Sequence, residues 1–274
     1  MDKYAVFGHP IKQSKSPQIH QHFAQLTEQV IEYTAIDPGL NNFVAEIKRF
    51  IKQGAKGCNV TMPFKEQAFE IADHVTERAR LAGAVNTLTF NQDGSISADN
   101  TDGAGLVSDL KSNNAPLNKR ILLIGAGGAA RGVIKPLLDC HPESLVIVNR
   151  TFEKANQLAK MFEQYGNIAS IPLERITSDM KFDLIINSTS TSLSNELPPI
   201  PDSVFAKHSF SYDMVYKGEA TRFLSWAKQS GSTTCVDGLG MLVGQAAESY
   251  YVWRAIKPEQ ANVLSKLRLD LSKN

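Results

Sequence analysis

Arg120-Ile121-Leu122-Leu123-Ile124 runs directly into Gly125-Ala126-Gly127-Gly128-Ala129-Ala130-Arg131. An apolar run of strand length meets a G-x-G-x-x-A turn, and a helical pattern follows. Gly125 permits the tight turn, and Gly127 lets backbone N–H groups approach a pyrophosphate. Ala130 need only be small, so that helix and strand can pack. The helix start, with Gly128 and Ala129, offers unpaired N–H groups and the positive end of the macrodipole to an anion. Glycine triplets alone are weak evidence; between a strand and a helix this one predicts a dinucleotide site.

The following strand, Leu145-Val146-Ile147-Val148, selects the dinucleotide. An NAD site places a carboxylate on the ribose about 20 residues past the glycines. Here the strand ends in Asn149-Arg150-Thr151, with Lys154 one turn on. A guanidinium suits a 2′-phosphate, and Thr151 and Lys154 can add contacts. Basic residues at a helix start oppose the macrodipole unless an anion compensates, so a solvated basic helix start is the poorer reading. NADP is the predicted cofactor.

Outward from this motif, short β-branched runs alternate with amphipathic stretches, the pattern of a parallel sheet flanked by helices. Tyr4-Ala5-Val6-Phe7-Gly8 opens the series. Ser16-Pro17 reads as an N-cap with a proline at the first helical position, and Ile19, Phe23, Leu26 and Val30 then share one helical face. A second helix carries Phe43, Val44, Ile47, Phe50 and Ile51. Gly57 to Met62 reads as a strand stopped by Pro63, Lys65 to Ala72 as a helix, and Thr87 to Phe90 as a strand. Ala104 to Leu110 makes a connecting helix; Leu184-Ile185-Ile186 and Ser211 to Val215 are further strands; 241–256 and 258–271 are helical. The chain is predicted as α/β in two domains. Residues 1–101, completed by 240–274, form a substrate-binding domain; 102–239 form a Rossmann-type, doubly wound NADP-binding domain. The C-terminal helices return to the first domain.

Composition narrows the class. The 274 residues are 42% hydrophobic and 21% charged, with 29 Lys and Arg against 28 Asp and Glu and a net charge of +1. No basic stripe draws a nucleic acid or an anionic membrane. Apolar runs are strand-sized, far short of a bilayer span, and the N-terminal one is too short for a signal peptide. Three cysteines, Cys58, Cys140 and Cys235, lack CxxC spacing and read as small buried hydrophobes. A cytoplasmic setting fits, with small-molecule partners and a monomer or homodimer. The six histidines have no metal-ligand spacing.

The first region carries polar residues that plain scaffold does not explain. Capping accounts for Ser16 but not Ser14. Asn59 and Thr61 lie two apart on one strand face, which marks either a polar ligand or the solvent side of an edge strand. Asn86-Thr87 follows Gly83-Ala84-Val85, and Asn100-Thr101-Asp102-Gly103 stands at the expected domain junction. Together with Ser14-Lys15-Ser16-Pro17, Asn59-Val60-Thr61-Met62-Pro63-Phe64-Lys65, Asn149-Arg150-Thr151 and Asp237-Gly238-Leu239-Gly240-Met241-Leu242, these segments closely resemble the shikimate dehydrogenase family nearly end to end.

The resemblance implies reversible reduction of 3-dehydroshikimate to shikimate with NADP, within aromatic amino-acid (chorismate) biosynthesis. It implies that Ser14 and Ser16 bind the substrate carboxylate and that Thr61, Lys65, Asn86, Asp102 and Gln245 hold the ring hydroxyls, with Asn59 and Tyr216 nearby. The cofactor would meet Gly125, Ala126, Gly127, Gly128, Ala129, Asn149, Arg150, Thr151 and Lys154, with Met214, Gly238 and Met241 at the nicotinamide and Glu77 as a further contact. One departure stands out: after Ile186-Asn187-Ser188-Thr189 family members commonly carry Gly-Met, and this chain has Ser192-Leu193.

Oxidising a secondary alcohol removes a hydride from carbon and a proton from oxygen, so the protein must supply a proton-transfer group. Lys65 and Asp102 are the acid–base pair the motifs bring together. Three rivals stand beside this reading: a quinate/shikimate dehydrogenase, a methylenetetrahydrofolate dehydrogenase-like relative, and a catalytically silent NADP-sensing module.

Overall fold

The computed structural model describes residues 1–273. They fall into two compact units: Met1–Gly105 with Val243–Ser265, and Leu106–Leu242 with the stretch from Lys266 onward.

In the first unit the elements run β1 (Asp2–Phe7), α1 (Ser16–Leu26), β2 (Ile31–Ile36), α2 (Phe43–Lys52), β3 (Ala55–Val60), α3 (Lys65–Glu70), β4 (His74–Val75), α4 (Glu77–Ala82), β5 (Thr87–Phe90) and β6 (Ile96–Asp99). The six strands form one sheet in the order β2-β1-β3-β5-β6-β4. β1 pairs in parallel with β2 and β3, whereas β5 runs antiparallel to both β3 and β6. Apolar side chains on one side of this sheet meet α2: Phe7, Phe43, Ile47, Cys58, Phe64 and Leu88 are all essentially inaccessible. Burying a side chain of this size stabilises the fold by roughly 1.5–3 kcal/mol before entropy is counted. That core fixes β3, and with it Asn59, as an interior strand.

The first helix is shorter than its apolar spacing predicts. α1 stops at Leu26, and Leu26 and Val30 are exposed rather than packed. Glu28 takes a positive φ of 54°, which no α-helix can continue. The Thr27 hydroxyl donates back to the Phe23 carbonyl at 2.7 Å and closes the turn. The chain then enters β2, a strand the helical pattern concealed. At the same helix's start, Lys15 rather than Ser16 occupies the N-cap position, and Ser16 is the first helical residue.

The second unit follows the predicted alternation closely. After α5 (Asp102–Ser112) come β7 (Arg120–Ile124), α6 (Gly128–Leu138), β8 (Ser144–Val148), α7 (Phe152–Phe162), β9 (Ile168–Ser170), β10 (Phe182–Asn187), β11 (Phe205–Asp213), α8 (Arg222–Gln229), β12 (Thr234–Asp237), α9 (Leu239–Arg254) and α10 (Ala261–Leu271). All strand pairings are parallel, in the order β9-β8-β7-β10-β11-β12. Numbered within the unit this is 3-2-1-4-5-6, the doubly wound dinucleotide order, whose direction reverses between β7 and β10. Ligands bind such sheets at the carboxyl ends of those two strands.

The C-terminal return is shorter than the predicted 240–274. Residues from Val243 to Ser265 belong to the first unit, but the chain from Lys266 belongs to the second. There Arg268 makes two hydrogen bonds to Asp237, of 2.5 and 2.6 Å, at the end of β12. That bidentate pair holds the end of α10 to its own unit.

Among the described residues no helix is long and apolar enough to cross a membrane. The cysteines are free; Cys58 is fully buried, whereas Cys140 and Cys235 are only half-buried, so the buried-hydrophobe reading holds for the first alone. His20 is fully buried and stacks on Tyr33 with ring centroids 4.1 Å apart. Neither of its ring nitrogens makes a hydrogen bond of good geometry among the described residues, and an interaction with Asn59 opposes but does not offset the effect of burial. Desolvation lowers its pKa from 6.5 to about 3, so the folded protein holds it neutral. The unfolded chain binds the proton first, and stability present above pH 6.5 is lost as pH falls toward about 3. The full span corresponds to roughly 5 kcal/mol. Urea unfolding across that range will show a much flatter acid limb for His20→Phe than for the wild type; parallel limbs would contradict a buried neutral imidazole.

Candidate functional site

In the first unit the polar residues singled out from the sequence converge. Lys65 is the first residue of α3, placed there by the end of β3 and the Pro63 turn, and Asp102 is the first residue of α5. Lys65 Nζ donates to Asp102 Oδ2 at 2.5 Å, and both side chains are about three-quarters shielded. The other carboxylate oxygen, Oδ1, accepts from Asn86 Nδ2 at 2.9 Å. Asn86 is buried and has partners on both amide atoms. Its Nδ2 also reaches Thr101 Oγ1 and Gln245 Oε1, and its Oδ1 accepts from the Thr101 backbone N–H and the Thr87 hydroxyl. One carboxamide thus ties the acid–base pair to the loop between β6 and α5 and to Gln245 on α9.

Behind Asn86 lies a second buried amide. Asn59 is 5% exposed on β3, between β1 and β5, so the edge-strand reading is wrong. Its Oδ1 accepts from Tyr33 at 2.7 Å, and its Nδ2 donates to the Asn86 carbonyl and to Ser249 Oγ. Ser249 also meets Thr87 and Thr101. Asn59 therefore spends its hydrogen bonds on protein groups and serves to position its neighbours. Tyr33 and Ser249 are members of this network that sequence reading missed. Ser249 stands one turn after Gln245 on the same helix face, a spacing that could have marked it.

Ser14 and Ser16 lie together at the start of α1, where the Ser14 hydroxyl accepts from the Ser16 backbone N–H at 3.3 Å. Ser14, not Ser16, is the side chain that satisfies an orphan N–H there. Ser16 sits against Tyr33, whose own pKa is driven up by burial, with a Ser16 hydrogen bond opposing the shift. Thr61 is half-buried just past β3, its N–H bonded to the Phe7 carbonyl at 2.8 Å. A Cβ on Gly8 would stand 2.4 Å from the Thr61 methyl, so the close approach of these two strand ends requires glycine. Glu77 is exposed in the first turn of α4, where a carboxylate stabilises the helix N-terminus. That position accounts for it without a ligand.

Arg78, next to it, makes two hydrogen bonds to Asp99, of 2.5 and 2.6 Å, and one to Glu248. Burial raises the Asp99 pKa, but the guanidinium outweighs it and the carboxyl ends below its ordinary value. The pair fixes the end of β6 three residues before Asp102, which sequence reading also missed.

In the second unit the glycine turn leaves β7 as its residues require. Gly125 has φ of 111°, and a Cβ there would lie 2.6 Å from Ser188 Oγ on the neighbouring strand's exit. Around Gly127 and Gly128 the space is open, and these residues and Ala129 are exposed at the N-terminus of α6. No side chain caps this helix and no acidic residue stands in its first turn. Ala130 is fully buried against the sheet. The orphan N–H groups thus face open space of the kind a pyrophosphate fills.

Beside the turn is a cavity of about 260 Å³ lined by Gly125, Asn149, Arg150, Thr189, Thr191 and others. Arg150, Thr151 and Lys154 are exposed at the start of α7, and neither Arg150 nor Lys154 makes a side-chain hydrogen bond or ion pair among the described residues. Asn149 Nδ2 donates to the Thr151 carbonyl at 2.8 Å and shapes the turn. Two cations at a helix N-terminus, with no carboxylate at the β8 tip, fit a phosphomonoester. At the far strand ends, Met214 and Gly238 pack backbone to backbone: a Cβ on Gly238 would stand 2.2 Å from the Met214 carbonyl oxygen. Met241 is half-buried in the first turn of α9, and Tyr216 follows β11 with its pKa raised by burial.

Residues 6–88 match the family model for the shikimate dehydrogenase substrate binding domain, and residues 109–195 match that for shikimate / quinate 5-dehydrogenase. A shikimate dehydrogenase (NADP(+)) from Psychromonas ingrahamii is 55% identical over 99% of this chain and 100% of its own. The Ael1 enzyme from Pseudomonas putida superposes with a TM-score of 0.93 at 43% identity, covering 97% of this chain and 98% of its own. Shikimate 5-dehydrogenase from Thermus thermophilus, solved with NADP(H) and shikimate, gives 0.87 at 32% identity over 99% and 100% of the two chains. With identity of this order sustained from end to end, the chain belongs to the shikimate dehydrogenase family.

Proposed function

We infer that the chain catalyses the NADP-dependent interconversion of 3-dehydroshikimate and shikimate. The observation that carries this reading is the Lys65 Nζ–Asp102 Oδ2 contact of 2.5 Å, with Asn86 holding the second carboxylate oxygen. In the reducing direction Lys65 Nζ delivers a proton to the carbonyl oxygen, and in oxidation it takes that proton back. Asp102 orients the ammonium and accepts from an adjacent ring hydroxyl. Asn86, Thr61 and Gln245 offer further polar groups to the ring, and the paired hydroxyls of Ser14 and Ser16 bind the carboxylate through neutral hydrogen bonds. Asn59 acts through Asn86, and Tyr216 is the further substrate contact that the family resemblance implies.

The N–H groups of Gly125–Ala129 would hold the pyrophosphate of NADP. Arg150, Thr151 and Lys154 would hold the 2′-phosphate beside Asn149, with Met214, Gly238 and Met241 lining the nicotinamide end. Bound there, NADP supplies or accepts the hydride. An intact Lys65–Asp102 pair speaks against a silent NADP-sensing module, and Ser14 with Ser16 has no purpose in a folate dehydrogenase. The half-buried free thiols suit the reducing cytoplasm, where the enzyme would work as a monomer or homodimer in aromatic amino-acid biosynthesis.

Lys65→Ala will lower kcat by about 10²–10⁴-fold while leaving NADP affinity intact. Asp102→Asn will also be severe, and the double variant little worse than the worse single one, because the pair acts as a unit. A folded Lys65→Ala protein retaining a third of wild-type turnover would contradict this assignment. Arg150→Ala will weaken NADP binding by about 1.5–3 kcal/mol and leave NAD binding nearly unchanged. Equal weakening of both cofactors in titrations would make Arg150 structural.

A further inference from the structure

The resemblance leads to Gly-Met being expected where this chain has Ser192-Leu193, and the structure gives the serine a partner. Residues 188–199 follow β10 and form one wall of the cavity beside the glycine turn; Thr189, Ser190, Thr191 and Ser194 all line it. Ser192 does not. It is completely buried, and its hydroxyl donates to Asp213 Oδ2 at 2.5 Å. Leu193, immediately after it, is exposed.

Asp213 is the last residue of β11 and has no exposed surface. It accepts from four donors: Ser192, Thr221 Oγ1 at 2.6 Å, Asn187 Nδ2 at 3.2 Å and the Val215 N–H at 3.2 Å. Three of these hold rigid elements to one another, since Asn187 ends β10, Thr221 caps α8 and Val215 follows β11. Ser192 alone belongs to the cavity wall. The first wall residues have their own ties, Ser188 to the Ile124 carbonyl and Thr189 to Asn187. Further on, Arg222 holds the Asn195 carbonyl. Among the described residues, the Ser192 hydroxyl makes the only side-chain hydrogen bonds linking residues 190–194 to the rest of the unit; the others are local to the loop.

We propose that Ser192 is a positioning residue for the cofactor: its hydroxyl pins the cavity wall to the buried Asp213 carboxylate and so pre-forms the NADP site. This rests on the reading that the cavity beside Arg150 receives NADP. A glycine in the same place has no side chain to reach Asp213, and the wall must then be ordered when the cofactor arrives. Ordering a loop on binding weakens affinity, and pinning it beforehand restores that loss.

The test is an equilibrium titration of NADP, with steady-state kinetics beside it, on the wild type, Ser192→Ala, Ser192→Gly and Thr221→Ala. Thr221→Ala removes a hydrogen bond to the same carboxylate oxygen but touches α8 instead of the wall. Both Ser192 variants will raise the NADP Kd about fivefold, the equivalent of one average hydrogen bond. Their kcat and shikimate KM will stay within about twofold of the wild type. Thr221→Ala will lower Tm and leave the NADP Kd unchanged. Wild-type NADP affinity in Ser192→Ala or Ser192→Gly would overturn the proposal. So would an equal loss in Thr221→Ala, which would make the effect one of Asp213 and general stability. A wild-type chain that binds no NADP would instead defeat the underlying reading, so the two failures are distinguishable.

Discussion

A buried carboxamide donates to Asp102 while it accepts from the Thr101 backbone, and this fixes where the Lys65 ammonium can lie. Asn86 has partners on both amide atoms and almost no exposure, so it cannot turn without orphaning several groups at a cost of about 1–3 kcal/mol each. Its rigidity is inherited from β5, from the Asn59 amide behind it, and from Ser249 on α9. On the proposed reading, the chemistry of the first unit therefore rests on an amide network that touches no reacting atom. Networks of this kind are stable only when fully satisfied, and this one draws on β2, β3 and β5, on the stretches just before β5 and α5, and on α9.

The second unit solves a different problem, how to present unpaired backbone donors to an anion. Gly125 turns the chain sharply enough that α6 begins directly above the end of β7, and Ala130 lets the helix sit close to the sheet. The open space around Gly127 and Gly128 follows from those two packing constraints. On the proposed reading, selectivity is added one strand away, where the β8 tip carries Arg150 in place of a carboxylate. Each task falls to a separate element, which is why cofactor choice can change without disturbing the turn.

Much of this was legible in the sequence, for physical reasons. Parallel strands buried on both faces read as continuous apolar runs, so β7, β8 and β10 stood out, and the glycine spacing placed the turn. Lys65 was legible because a cation in a helix's first turn opposes the macrodipole, and Asp102 because it falls in a motif that resembles the family's. Other features were hidden. β2 was masked because Leu26 and Val30 imitate a helical face that the positive φ of Glu28 breaks. Asn59 stood open between a ligand contact and an edge position, since nothing local says that β3 has neighbours on both sides. Tyr33, Ser249 and the Arg78–Asp99 pair act through contacts across 21 to 190 positions of sequence. No periodicity reports such contacts. Ser192 was visible only as a departure from a pattern, and its partner Asp213 lies 21 positions away.

The central claim is that a pre-built acid–base pair in one unit and a phosphate-selective dinucleotide site in the other make this chain an NADP-dependent shikimate dehydrogenase. The most direct measurement is the initial rate of NADPH formation by the purified wild-type chain given shikimate and NADP, run beside shikimate with NAD and quinate with NADP. The structure predicts ready turnover of the first pair and a far lower kcat/KM for each of the others. No NADPH from shikimate, or equal efficiency with NAD, would contradict it.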